Sequence, residues 1–206
     1  DLHAAARGRS NLPQVRADLA HPESNKLARA FGIEVILDSK GPRGTLRRVA
    51  VDNGIGCLTY EGGGANVTHH EAVQVAVYGV LNSLRSLHVL PGNPSRPRFR
   101  LLASGSTWLR AEEGGLIDMR VEPGSFVEEG DIIGRIVDPQ NPGIAVDIVS
   151  PERGLLICTA NNPFVHAGTP VGHLLPINRG VIMVKRKLDA HNRLIVSGSQ
   201  GDPAWR

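Results

Sequence analysis

A chain of 206 residues with 41% hydrophobic and 21% charged residues has ordinary globular composition, long enough for one large or two small domains around a sizeable core. The net charge of +3 is small, and the basic residues form no single stripe. Arg96, Arg98 and Arg100 flank a Pro-rich linker, and Lys185 to Lys187 make a short run, so a nucleic-acid partner is not expected. No run of about 18 apolar residues speaks for a membrane span. The two cysteines, Cys57 and Cys158, lie in apolar runs and fit free thiols of a cytoplasmic protein better than a disulfide framework.

The chain has no initiating Met and opens on Asp1-Leu2-His3 in mid-motif, as expected of the C-terminal part of a longer protein. These residues read as the end of a strand. Alternation puts Asp1 and His3 on one face, so His3 is a candidate metal ligand with Asp1 as its carboxylate support. A terminal His with no role is the plain alternative. Ala4 to Leu19 shows no clean period, and Gly8, Asn11 and Pro13 predict a loop. It carries Arg7, Arg9 and Arg16; a guanidinium here, Arg16 included, could hold a substrate carboxylate through its planar fork, or simply be solvated.

Pro22 to Phe31 predicts a short helix, with Pro at its first position and Gly32 after its end, packing Leu27, Ala28, Ala30 and Phe31 inward. Ile33 to Leu37 predicts a strand and Asp38 to Gly44 a loop. Thr45 to Val51 then brings Arg47 and Arg48 toward the most informative stretch, Leu58-Thr59-Tyr60-Glu61-Gly62-Gly63-Gly64. Apolar runs (Val49 to Val51, Ile55 to Leu58) predict a strand, and three glycines predict a sharp turn behind a single carboxylate. Glu61 would then stand at a strand tip, where open α/β sheets bind ligands, as a general base; a surface glutamate before a turn is the alternative. Thr68 and Glu71 match a capping box ahead of a helix whose Val73, Val77, Val80, Leu81, Leu84 and Leu87 recur at helical spacing. His69 and His70 point different ways and read as first-turn surface residues.

Asn93 to Pro97 reads as a linker. Beyond it short strands dominate, with an internal repeat: Phe126-Val127-Glu128-Glu129-Gly130 then Gly134 matches Phe164-Val165-His166-Ala167-Gly168 then Gly172. Each copy predicts a hairpin-like unit, and two of them a small pseudo-twofold β structure. Val181 to Val184 and Leu194 to Val196 predict a final hairpin turning at Asp189 to Asn192, with a loose end from Gly198.

These motifs together resemble the succinylglutamate desuccinylase/aspartoacylase family of the zinc carboxypeptidase clan. The resemblance rests on D-L-H, the G-R-x-N-x-P-x-x-R-A-D-L segment, E-G-G after a strand and G-V-L-N-x-L (Gly79 to Leu84). It rests also on A-E-E-G-G-L (Ala111 to Leu116) and the P-G-x-x-V-x-x-G-D repeat, and it runs from Asp1 to about Pro176. It implies a zinc hydrolase that removes an acyl group from an N-acylated amino acid or similar small amine, with a small-molecule substrate and a possible homo-oligomer. His3 falls on a zinc ligand and Glu61 on the catalytic glutamate. Arg47 or Arg48, with Arg48 preferred, falls where the family places a substrate-carboxylate arginine. The family's other two zinc ligands, in H-x-x-E, and its oxyanion arginine belong upstream, so the resemblance implies that this chain alone is inactive unless another chain supplies them. The β part also resembles biotinyl- and lipoyl-carrier hairpins, but Asp131 to Pro151 holds no lysine for a swinging arm. Two other readings stay open: a carboxypeptidase of the same clan, and a non-catalytic binding or scaffold module. The expected fold is an α/β part, a partial mixed sheet with flanking helices over residues 1–92, followed by an all-β barrel-sandwich-like domain over residues 93–206.

Overall fold

The computed structural model describes residues 1–178 and 180–196. In chain order the elements are β1 (Leu2–His3), β2 (Arg9–Ala17), α1 (Pro22–Phe31), β3 (Val35–Asp38), α2 (Leu46–Asp52), β4 (Leu58–Gly64) and α3 (His70–Ser86). There follow β5 (Leu101–Ser104), β6 (Thr107–Arg110), β7 (Gly115–Met119), β8 (Phe126–Val127), β9 (Ile132–Val137) and β10 (Ala145–Val149). The last are β11 (Gly154–Ala160), β12 (Phe164–Val165), β13 (Pro170–Pro176) and α4 (Val181–Lys185). Among the described residues the strands form a nine-stranded mixed sheet and a four-stranded antiparallel one in the order β10-β9-β7-β12. The large sheet runs β1-β4-β2-β11-β13-β6, with β3 and β5 branching from β2 and β8 from β11. Strands from both sides of residue 92 therefore share one sheet. No helix among the described residues is long and apolar enough to cross a membrane.

The helix at Pro22 forms as its end signals dictate. Pro22 opens it, the His21 ring accepts from the Ser24 amide, and Gly32 closes it at φ 85°. Phe31 packs toward α3 at Gly79, where an added Cβ would lie 2.0 Å from the Phe31 ring. Glycine is thus required there by close approach.

Four expectations are corrected. The segment from Ala4 to Leu19 is not a loop: Arg9–Ala17 is a central strand, parallel to β3 and antiparallel to β4 and β11. Its proline is tolerated because the register with β4 shifts between Asn11 and Gln14, and a bulged residue needs no ladder hydrogen bond. Val49 to Val51 lies in helix α2, whose start is capped when Thr45 Oγ1 accepts from the Arg48 amide; the cap outweighs the strand preference of its valines. Thr68 does not cap α3; His69 holds that position, without a side-chain cap bond. Val181 to Val184 is helical, and Leu188 bridges Leu194 in its place, although the turn at Asp189 to Asn192 is present.

The face of α3 also differs from expectation. Ala72, Val75, Ala76 and Gly79 turn toward the sheet, while Val73, Val77, Val80 and Leu87 are exposed. Small residues let α3 approach the sheet and α1, so the bulkier valines fall outside.

The internal repeat is real in structure. Each copy is a two-residue strand, a glycine at positive φ (Gly130 at 88°, Gly168 at 81°) and a longer strand. The first copy begins in the large sheet (β8) and ends in the small one (β9); the second begins in the small sheet (β12) and ends in the large one (β13). The residues from Gly198 onward lie outside the described residues.

Candidate active site

Glu61 sits inside β4 and not at its tip, because the strand continues through Gly64, paired to Asn11 and Ser10 of β2. The glycines permit close approach more than a turn. A Cβ at Gly62 would fall 2.2 Å from the Tyr60 hydroxyl, and one at Gly64 would fall 3.0 Å from His69 Nε2. Only Gly63 of the three takes a positive φ, 72°.

Register gathers the site. His3 of β1 and Gln14 of β2 both stand directly opposite Glu61, and Arg16 stands opposite Thr59. Directly paired residues share a face, and so do residues two apart on a strand. His3, Gln14, Arg16, Thr59 and Glu61 therefore lie on one side of the sheet. Asp1 Oδ2 is 3.0 Å from His3 Nε2, as alternation led us to expect, which leaves His3 Nδ1 facing Glu61 Oε1 at 3.7 Å. Asn11 Nδ2 donates to the other Glu61 oxygen, Oε2, at 3.1 Å, and Arg16 Nε lies 4.0 Å from Oε1. The carboxylate is thus fixed on one oxygen and open on the other.

The two arginines of α2 part company. Arg47 is buried, turns to the site face and donates to Thr59 Oγ1 at 2.5 Å. Arg48 lies on the exposed side and pairs with both Asp52 carboxylate oxygens at 2.8 Å. Burial, and then the like charge of Arg16, hold the Arg47 guanidinium below its ordinary range, with Glu61 acting in the opposite sense. The Nε atoms of Arg16 and Arg47 have no hydrogen-bond partner, and the fully buried Gln14 amide has none on either atom. Two guanidiniums, Arg16 and Arg47, thus stand near the Glu61 carboxylate, with Asp1 a second carboxylate beyond His3.

A polar row continues across the large sheet. Asn11 stands opposite Cys158, Cys158 opposite His173, and His173 opposite Trp108. His173 Nε2 is 2.7 Å from Ser106 Oγ, and its ring stacks on Trp108 at 3.9 Å between centroids. Arg9 lies over the same indole at 5.2 Å. Burial, then Arg16 and Arg9, push the His173 pKa down to about 3, and burial raises that of Cys158 to about 11. Both groups are neutral near pH 7 and serve as wall, not as acid or base. Cys57 is half-buried, and both cysteines are free thiols.

Asn11 and Gln14 went unread in the sequence because their segment looked like a loop. Once Arg9–Ala17 is a strand with one bulge, the spacing of Asn11, Gln14 and Arg16 places them beside Glu61. His69 and His70 are exposed at the start of α3, and His69 lies against Gly63 and Gly64. Among the described residues no three His, Cys, Asp or Glu side chains stand together as a metal site. His3 is one donor with its support in place, and a zinc ion needs more.

No family model matches the chain, and no curated protein does. Solved structures do. The product-bound ectoine utilization protein EutE (DoeB) from Ruegeria pomeroyi matches 86% of this chain with a TM-score of 0.78 at 18% identity. A succinylglutamate desuccinylase/aspartoacylase from Rhodobacter sphaeroides matches 85% with a TM-score of 0.75 at 21% identity. An aspartoacylase family protein from Mesorhizobium loti matches 86% with a TM-score of 0.70 at 20% identity. The chain has the succinylglutamate desuccinylase/aspartoacylase fold. Identities this low speak for the fold alone. The chain spans 57%, 57% and 62% of the length of these three proteins, so each holds a large portion with no counterpart here.

Proposed function

We propose that this chain carries part of the active site of a zinc-dependent deacylase acting on an N-acylated amino acid or similar small amine. The observation that supports this most is the register of β1 against β4, which sets His3, backed by Asp1, beside the one open oxygen of Glu61. Among solved structures, the neighbours named succinylglutamate desuccinylase/aspartoacylase share this fold.

In this reading Glu61 is the general base. Asn11 occupies Oε2, so Oε1 accepts a proton from the attacking water and later returns it to the leaving amine. Arg16 Nε lies 4.0 Å from Oε1 and adds positive charge beside it. Arg47, and not Arg48, is the guanidinium placed to receive a substrate carboxylate, with Arg16 adding charge on the same face. The zinc ion, when bound, supplies a lowered water pKa and polarisation of the amide carbonyl. Among the described residues His3 is its one ligand in this reading, and the remaining donors come from elsewhere. The chain alone is then inactive, and the whole enzyme works in the cytoplasm.

The test is zinc content and hydrolysis of a panel of N-acyl amino acids and peptides by an N-terminally extended form and its Glu61→Gln variant. We expect about one zinc per extended chain, turnover of acyl amino acids over peptides, and loss of about 10²- to 10⁴-fold in kcat on Glu61→Gln. Zinc in neither the extended nor the short form would favour a non-catalytic scaffold, and normal turnover by Glu61→Gln removes that residue from the mechanism.

A further inference from the structure

Gln14 stands on the site face, and the hydrolytic reading gives it no task. The bulge in β2 puts it there. Asn11 and Gln14 are three residues apart, so in a regular strand they would face opposite sides of the sheet. The register shifts between them, with Asn11 opposite Gly63 and Gln14 opposite Glu61, and this turns both to the side of Glu61. Bulges often re-aim a side chain beside an active site. Gln14 has no exposed surface, and neither its Nε2 nor its Oε1 has a hydrogen-bond partner among the described residues. A buried amide without partners is destabilising, and native proteins hold few of them. On the same face the Nε atoms of Arg16 and Arg47 also lack hydrogen-bond partners. The unfilled set thus holds N–H groups on three side chains and one carbonyl acceptor. Its complement is a ligand with a carboxylate and a single N–H close to it.

We propose that Gln14 is a specificity-determining residue that reads the two polar groups on either side of the α-carbon of an N-acyl α-amino acid, a role that rests on the hydrolytic reading above. Oε1 accepts from the N–H of the scissile amide, and Nε2 joins Arg47 and Arg16 in donating to the carboxylate. The three donors and the one acceptor are then all filled. Glu61 and Arg16, which flank Gln14, keep 17% and 20% of their side chains exposed, so a substrate that reaches Glu61 Oε1 lies over Gln14. An ester has no N–H to offer Oε1, and an acylated amine without a carboxylate leaves the donors empty. A site with unfilled buried polar groups rejects ligands that cannot fill them. The preferred substrate is therefore narrower than any small acylated amine: it carries the amide and the carboxylate on one carbon.

The experiment uses Gln14→Met, which keeps the length of the side chain and removes both polar atoms, in the extended, zinc-loaded protein. Its substrates are the best-hydrolysed N-acyl amino acid of the panel above and the matching O-acyl hydroxy acid. The unmutated protein should show the lower KM for the amide. Gln14→Met should raise that KM about 10- to 100-fold, hold kcat within about threefold, and shrink the KM advantage over the ester to within about threefold. A second readout needs no substrate. In the ligand-free protein Gln14→Met should raise the thermal midpoint by about 2–4 °C, since a buried amide without partners is removed. A residue that merely supports the fold gives the opposite sign. An unchanged KM in the variant, with the unmutated protein active, would overturn the proposal and leave the hydrolytic reading standing. So would a lowered midpoint or a variant that fails to fold, because Gln14 would then be bonded within the protein. No turnover of any N-acyl amino acid by the unmutated protein would overturn the hydrolytic reading and the proposal with it.

Discussion

Two regions of the large sheet are built on opposite terms. At the β11/β13 end all seven residues of β11 are buried, and Leu155, Leu156, Leu174 and Leu175 have no exposed surface. At the β1/β4 end both residues of β1 are exposed, the neighbouring helix shows a row of valines to solvent, and polar side chains fill one face. The β11/β13 region holds itself together by apolar burial. The β1/β4 region holds charged and unpaired groups that have no part in a core, and His3, Glu61, Arg16 and Arg47 all belong to it. The candidate site residues thus cluster at β1 and β4, and the apolar core at β11 and β13.

The contrast can be broken most forcefully in the β11/β13 core. Leu174→Ala should cost about 2–5 kcal/mol in urea unfolding, since it opens a cavity in a core with no room to collapse; a cost below about 1 kcal/mol would deny that this region is the anchor. In the β1/β4 region effects should fall on binding. Arg47→Ala should raise KM for a carboxylate-bearing substrate in the extended enzyme about 10- to 100-fold, the loss of a charged hydrogen bond. Arg48→Ala should change it less than twofold, because Arg48 is occupied by Asp52 on the exposed side. The opposite ranking would return the role to Arg48. Outside both regions, Gly79→Ala should cost about 1–3 kcal/mol by driving a methyl into the Phe31 ring, with no separate effect on KM.

A further effect is a pH dependence. His173 has a folded pKa near 3, below its ordinary 6.5. As pH falls below 6.5 the unfolded chain gains this proton first, so stability is full above 6.5 and is lost by up to about 1.4 kcal/mol per pH unit toward 3. Denaturant titrations at pH 7, 5 and 4 should show that slope, and His173→Phe, which keeps the stack on Trp108, should flatten it. A slope unchanged by the substitution would assign acid sensitivity to other groups.

What the sequence disclosed follows the same division. Helix α1 was legible because Pro22 and Gly32 are local signals, and the repeat because its glycines recur at fixed spacing. The Asp1/His3 face was legible from alternation alone. The second strand was not, since Pro13 and Asn11 are loop formers by propensity and only a bulge against β4 reconciles them with pairing. Nor was the outer face of α3, because periodicity marks an apolar stripe without saying which layer covers it. Asn11 and Gln14 were invisible as site residues for the first reason. The choice between Arg47 and Arg48 turned on a helix phase that two adjacent arginines do not reveal.

The crossed arrangement of the repeat also bears on how the molecule comes apart. Each copy is a stitch with one leg in either sheet, β8 to β9 and β12 to β13. Pulling one sheet away strains both stitches at once, so neither sheet can peel off while the other persists. Hydrogen exchange should therefore register a single opening event for β11, β13 and β9 together, and a chain stretched from its ends should yield in that region in one step.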